Sequence, residues 1–365
     1  ALEQQTTASS NTAMGFAALR YSTANNNTAV GHNSLLLNTS GGANTAIGSA
    51  ALDANTTASL NTAVGASSLS SNTTGTRNVA VGANSLDANT TASDNTAVGQ
   101  VTLTLNTTGS QNTAVGKGAL SANTTADNNT AVGYHALDLN TTGANNVAVG
   151  ALALDANTTA NNSTGIGYAA LGANTTGANN VAVGSVALDA NTTGNDNASL
   201  GTSSLGANTT GSNNCAFGNG ALESNTTADN NSAVGRFALQ VNSTGDNNVA
   251  VGAFTLDANT TASNNTAVGY VALSANTTGS ENTGVGGFAL DANSTGTNNT
   301  AVGVNALGAN TTASNNTAMG LSALLLNTTG ANNVAVGAFA VDANTTASNI
   351  TGVGMNALSG NTTGE

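Results

Sequence analysis

From Asn27 onward, apolar and polar positions recur with a period of seventeen residues. The first full unit reads NTAVGHNSLLLNTSGGA, and new copies begin at Asn44, Asn61, Asn78 and so on to Ile350. Within the unit the fourth position is apolar and mostly Val, as at Val30 and Val64. The fifth is Gly in every full copy, from Gly31 to Gly354, and the ninth is Leu except at Val341. The third is Ala, Gly or Ser, and the twelfth is always Asn. The Thr-Ala-Val stretch is short, β-branched and followed by Gly, which predicts a strand rather than a helical turn. Alternation along a strand puts the second and fourth positions on one face and the third on the other. The second, fourth and ninth positions are therefore predicted to face the interior. The third (Ala29, Ala63, Ala97) is predicted to form an outward strip of small residues suited to lateral self-association, with a trimer as one arrangement. A second extended segment carries Ala-Leu, and Asn-Thr-Thr turns the chain back.

A strict repeat decides the architecture. Seventeen residues are too few for the helix pairs of helical solenoids, and recurrent Gly, Thr, Val and Asn disfavour helix inside the unit. One such coil buries too little to hold itself together, so stability must come from stacking on its neighbours. The predicted fold is all-β: a parallel β-solenoid, or β-roll, of about 21 stacked coils, a rod roughly 100 Å long at ~4.8 Å per coil. A single repeat domain is expected over 1–365, with divergent first coils in 1–26 and regular coils in 27–365. Ala1–Ser10 aligns with the second half of a coil, with Gln5 in place of the usual Asn. The unit beginning at Asn11 has lost one residue near Ser22, which places the Asn-Thr-Thr segment at a corner, where a deletion is best tolerated. The chain starts at Ala1, and an uncapped solenoid is the expectation at both ends. Two readings of these ends stand side by side: cut ends of a longer protein, or sticky ends on which further subunits stack.

Composition narrows the possible roles. Charged residues make up 6% of the chain, Pro and Trp are absent, and the net charge is −13. Low charge argues against disorder. An acidic balance makes nucleic acid and anionic membranes unsuitable partners. No apolar run approaches the ~20 residues of a membrane span, so no membrane insertion is expected.

The candidate chemistry is sparse. His32 and His135 fall at different positions of distant coils and are read as solvated loop residues. No recurring His or Cys gives transition-metal spacing. Cys215 stands at a second position and is read as a small buried side chain. Asp recurs at the tenth position (Asp53, Asp87, Asp138, Asp155, Asp189, Asp257, Asp291 and Asp342). It is read as solvated or turn-stabilising, with a calcium ladder as the alternative. The twelfth position supplies Asn38, Asn55, Asn72, Asn89, Asn106, Asn123, Asn140, Asn157, Asn174, Asn191, Asn208, Asn225, Asn242, Asn259, Asn276, Asn293, Asn310, Asn327, Asn344 and Asn361. Each opens an N-x-Ser/Thr sequon. One reading is an internal asparagine ladder along the axis. The other is glycan decoration, on these Asn or on nearby Thr, although a row spaced at ~4.8 Å is narrower than a sugar chain. Neither enzyme activity nor any cofactor is expected.

The run Asn-Thr-Ala-Val-Gly-x-x-Ala-Leu-x-x-Asn-Thr-Thr-Gly resembles the repeats of phage tail-fibre-like proteins that end in an endosialidase-type chaperone domain. More distantly, it is similar to the head coils of trimeric autotransporter adhesins. The resemblance covers Asn11 to Gly364 and implies a fibrous protein, surface-exposed or carried on a virion. The expected function is a structural and adhesive subunit of an extracellular or cell-surface filament. Its partners would be other copies of itself, end to end or laterally, and glycans or a host surface. The shaft of a virion fibre is the alternative. An ice-binding solenoid is a second alternative, disfavoured here because the Thr of the second position is assigned inward, leaving only columns such as Thr56 and Thr57.

Overall fold

The computed structural model describes residues 8–364. The chain divides into two compact units, 1–180 and 181–365, and each is a stack of seventeen-residue coils. Among the described residues, the first unit holds ten strands of three residues, from β1 (Thr12–Met14) and β2 (Thr28–Val30) to β10 (Thr164–Ile166). The second holds eleven, from β11 (Val181–Val183) to β21 (Thr351–Val353). Pairing is parallel and in register: Thr28, Ala29 and Val30 lie against Thr45, Ala46 and Ile47. The fold class is therefore the predicted all-β parallel β-solenoid, and no helix occurs among the described residues.

Backbone bonds between coils continue beyond the strands. The Leu35 N–H donates to Ala51 O at 3.0 Å, Leu37 to Asp53 O at 2.9 Å and Thr39 to Thr56 O at 2.8 Å. On another wall, the Ala50 N–H donates to His32 O at 2.9 Å. A coil too small to satisfy its own peptide groups thus satisfies them on its neighbours.

The strand faces the opposite way from the sequence expectation. Ala29, Ala46, Ala63 and Ala97 are wholly buried, whereas Thr28 and Val30 are half-exposed and Ile47 is 40% exposed. The reason is the width of the coil. A β-carbon added to Gly165, a third-position residue, would stand 2.9 Å from Ala170 O and 3.3 Å from Leu154 Cγ. Only a small side chain fits between the strand and the facing Leu column, Ser199 being the largest, so the third position is small because it is inside. Val at the fourth position reflects the strand's preference for β-branched residues, not burial. Cys215 shares the outward second-position column and is half-buried rather than enclosed.

The ninth position is interior as expected: Leu35, Leu52 and Leu154 have no exposed surface. Its backbone is not extended, however. Leu35 has φ 50° and Leu52 φ 51°, and the seventh position (Asn33, φ 58°) is also left-handed. The predicted second strand is instead a tight turn that aims Leu inward and buries the eighth-position residue beside it, as at Ala51 and Ser68. A bulky residue at positive φ is strained, and it persists where its surroundings over-determine it. Here Leu52 donates to Ser68 O at 3.0 Å and accepts from the Asn55 N–H at 3.2 Å. The fifth-position Gly has both requirements of its kind: Gly31 has φ 139°, and a β-carbon there would meet Gly48 O at 2.3 Å.

In the short first unit, Ser22 occupies the buried twelfth position and accepts from Asn38 Nδ2 at 3.0 Å. Asn11 Nδ2 donates to Ala24 O at 2.9 Å, which marks Ala24 as a fifteenth-position residue. The missing residue is therefore the exposed fourteenth, at the corner. Of the stretch Ala1–Ser10, residues 1–7, Gln5 included, lie outside the described residues.

Candidate functional site: two asparagine ladders and an outer sheet face

Each coil from that of Asn11 to that of Asn333 buries polar side chains, and a buried amide must find partners. The twelfth-position residues do so from coil to coil. Asn55 Nδ2 donates to Asn38 Oδ1 at 2.8 Å and to Ala58 O at 3.0 Å. Asn72 repeats this on Asn55 at 3.0 Å and on Gly75 O at 3.0 Å. From Asn38 to Asn344 these side chains have no exposed surface; Asn361 is partly exposed. The nitrogen that would carry an N-linked glycan is the same Nδ2 that donates both bonds inward. A sugar on that nitrogen would break both bonds and the packing around them.

A second ladder, at the first position, has no counterpart in the sequence reading. The Asn44 N–H donates to Asn27 Oδ1 at 2.9 Å, and Asn44 Nδ2 donates to Ala58 O at 2.8 Å. The two amide columns thus converge on one fifteenth-position carbonyl per coil. The available signal was the near-constancy of Asn at the first position, which equals that of the twelfth except at Ser163 and Ile350. Ser163 still receives the Asn180 N–H on its hydroxyl at 3.3 Å. The thirteenth-position hydroxyls are also committed: Thr56 Oγ1 donates to Thr73 O at 3.1 Å and Thr73 Oγ1 to Thr90 O at 3.0 Å.

Within each unit the tenth-position acids lie along one wall, half-buried. Burial pushes the carboxyls of Asp53, Asp155, Asp189, Asp257 and Asp291 above the usual carboxylate range, while bonds from nearby backbone N–H groups pull the other way. Ser often separates successive acids and donates to one of them, as Ser70 does to Asp87 and Ser121 to Asp138. Asp342 Oδ1 is buried without a partner. No three His, Cys, Asp or Glu residues gather as a metal site among the described residues. A notch forms where Gly206 stands between Asp189 and Glu223, with Val186 and Ser203 on its walls. His32 is exposed and stacks on Phe16 at 5.4 Å. His135 is half-buried and its Nδ1 pairs with Asp138 Oδ2 at 2.6 Å, so it is not the solvated loop residue expected. Burial raises the Cys215 thiol above its ordinary value, which leaves less thiolate at neutral pH.

The remaining surface of distinct character is the outward face of the sheet. Its two columns, the second and fourth positions, carry no charged residue in any regular coil. The acids occupy the tenth, sixteenth and seventeenth positions, as at Asp53, Asp127 and Asp94, and the bases the sixth and seventeenth, as at Lys117 and Arg77. Val98 and Val149 are each 36% exposed and Ile166 is 38% exposed, so the face is open and uncharged, with an apolar fourth-position column beside a second-position column that is mostly Thr. No helix among the described residues is long and apolar enough to cross a membrane. In comparison with known proteins, no family model and no curated protein matches the chain.

Proposed function

We propose that the chain is a structural subunit of an extracellular or cell-surface filament, built by self-association of β-solenoids and adhesive through its exposed walls. The supporting observation is where the polar groups go. Backbone amides, two asparagine columns and a threonine column are all spent on bonds between coils. Side chains of the kind that form reaction centres are few and scattered. Such a molecule is suited to holding length and shape. Negative-stain electron microscopy of native material tests the reading: free filaments support it, whereas shafts attached to virions favour the tail-fibre alternative. Discrete globular particles would contradict both.

A second reading gains from the reversed strand. An inward Thr column would disfavour ice binding, but Thr28 and Thr45 face outward. Regularly spaced hydroxyls and methyl groups on a level sheet favour ordered water. A thermal-hysteresis assay on the purified chain tests this reading.

A further inference from the structure

In the first unit the outer sheet face is unbroken from β2 to β10. Every residue of its two columns, from Thr28 and Val30 to Thr164 and Ile166, is Thr, Val or Ile. These side chains branch at the same carbon and reach similar heights, and their strands are in register. The second unit differs, because Ala198, Cys215 and Phe217 break the level of its face. Nine strands at ~4.8 Å spacing make the first unit's strip ~38 Å long, and two columns with their side chains make it on the order of 10 Å wide.

We infer that this strip is an interface and that its occupant is the same strip of a second copy of the chain. The inference rests on the filament reading and names the contact that would serve it. Three observations select the occupant. First, the chain carries a net charge of −13, so two copies repel wherever their acidic columns meet. The strip is a flat wall free of charge, on which they can approach. Second, a face of β-branched side chains on in-register strands packs against its own kind with the sheets ~10 Å apart. Val and Ile supply apolar area, and each Thr brings a donor and an acceptor, so facing hydroxyls can satisfy one another. β-Branched side chains are already restricted and lose little freedom on docking. Third, the size fits a reversible contact. About 400 Å² per partner lies below the ~800 Å² of a stable complex, so one pair of strips holds weakly and gains strength by repetition along a fibre. The contact is isologous: the same patch serves both copies.

Sedimentation velocity over a wide concentration range, on the full chain, tests this. The test variant carries Val64→Glu, Val98→Glu and Val132→Glu on the strip. The control carries the same charge on the exposed fourteenth position, as Thr57→Glu, Thr91→Glu and Thr125→Glu. Thermal melting checks the fold, and a second test set, Thr62→Glu, Thr96→Glu and Thr130→Glu, is used if the first melts early. The expected result is concentration-dependent association of wild type and control, weakened at least tenfold in the strip variant. Equal association of all three overturns the interface but leaves the filament reading intact if filaments still form. A wild type that stays monomeric and forms no filaments overturns both. A monomeric wild type whose thermal hysteresis is lost in the strip variant assigns the face to ice and also overturns the inference.

Discussion

A methyl group at the third position and an isopropyl group at the fourth point in opposite directions, and this single alternation sets which substitutions the coil tolerates. Ala131 has no exposed surface, whereas Val132 is 36% exposed. Enlarging the first should force strain into a filled interior, costing about 1–3 kcal/mol, while a polar change at the second should stay within about 0.5 kcal/mol. Ala131→Val is therefore expected to speed amide hydrogen exchange in its own and neighbouring coils, and Val132→Asp to leave exchange unchanged. The reverse order would return the strand to the orientation that its hydrophobicity suggests. That orientation was misread for a definite reason. Constancy among copies marks a constrained position but does not say on which side the constraint acts. Ala29 and Ala63 are constant because a facing Leu leaves no room, as the space around Gly165 shows. Val30 and Val64 suit a strand whether covered or not. The Leu and Gly columns were legible because their residue types leave less choice.

At the scale of the coil, the seventeen-residue period, the strand and the corner were legible, since deletion of one residue near Ser22 falls on an exposed position. The left-handed turn at Asn33 and Leu35 was not, because no propensity favours Leu at φ 50°; bonds to the adjacent coil and to the Asn38 N–H of its own coil hold it there. The asparagine column at the twelfth position was readable as one of two alternatives. Its partner at the first position was missed, because Asn before a strand reads as turn chemistry. The ladder makes a sharp prediction at Asn106, which donates to Asn89 Oδ1 at 3.1 Å and Gly109 O at 2.8 Å and accepts from Asn123 Nδ2 at 2.8 Å. Asn106→Ala strands these partners at about 1–3 kcal/mol for each buried group left unpaired. Asn106→Asp should be worse, because it buries a charge facing the Asn89 oxygen. Local exchange rates should rise in the order wild type, Ala, Asp. The tenth-position wall gives a pH prediction. The carboxyls of Asp53, Asp155, Asp189, Asp257 and Asp291 titrate above their unfolded values, so the folded state holds protons that the unfolded state has already released. Stability then falls as pH rises from the ordinary carboxylate range through the raised values. Asp94, beside Arg77, is shifted downward and acts in the opposite sense, but this pair is exposed and contributes little. The melting temperature should therefore rise as a neutral solution is acidified through the carboxylate range. A steady fall would show that the wall is solvated.

At the scale of the whole molecule, each unit is quasi-one-dimensional: a coil contacts the coils above and below it, and stability is a sum over neighbours. A net charge of −13 opposes the approach of two chains where their acidic columns meet, and the proposed contact uses a face that carries no charge. Assembly into a filament would extend the same inter-coil bonds and the same outer face from one chain to the next. X-ray diffraction from oriented, partly dried material tests this directly. Stacked coils running along a filament predict a sharp reflection at ~4.8 Å on the filament axis, from strands lying across it. That reflection at right angles to the axis, or its absence from well-oriented filaments, would contradict the account.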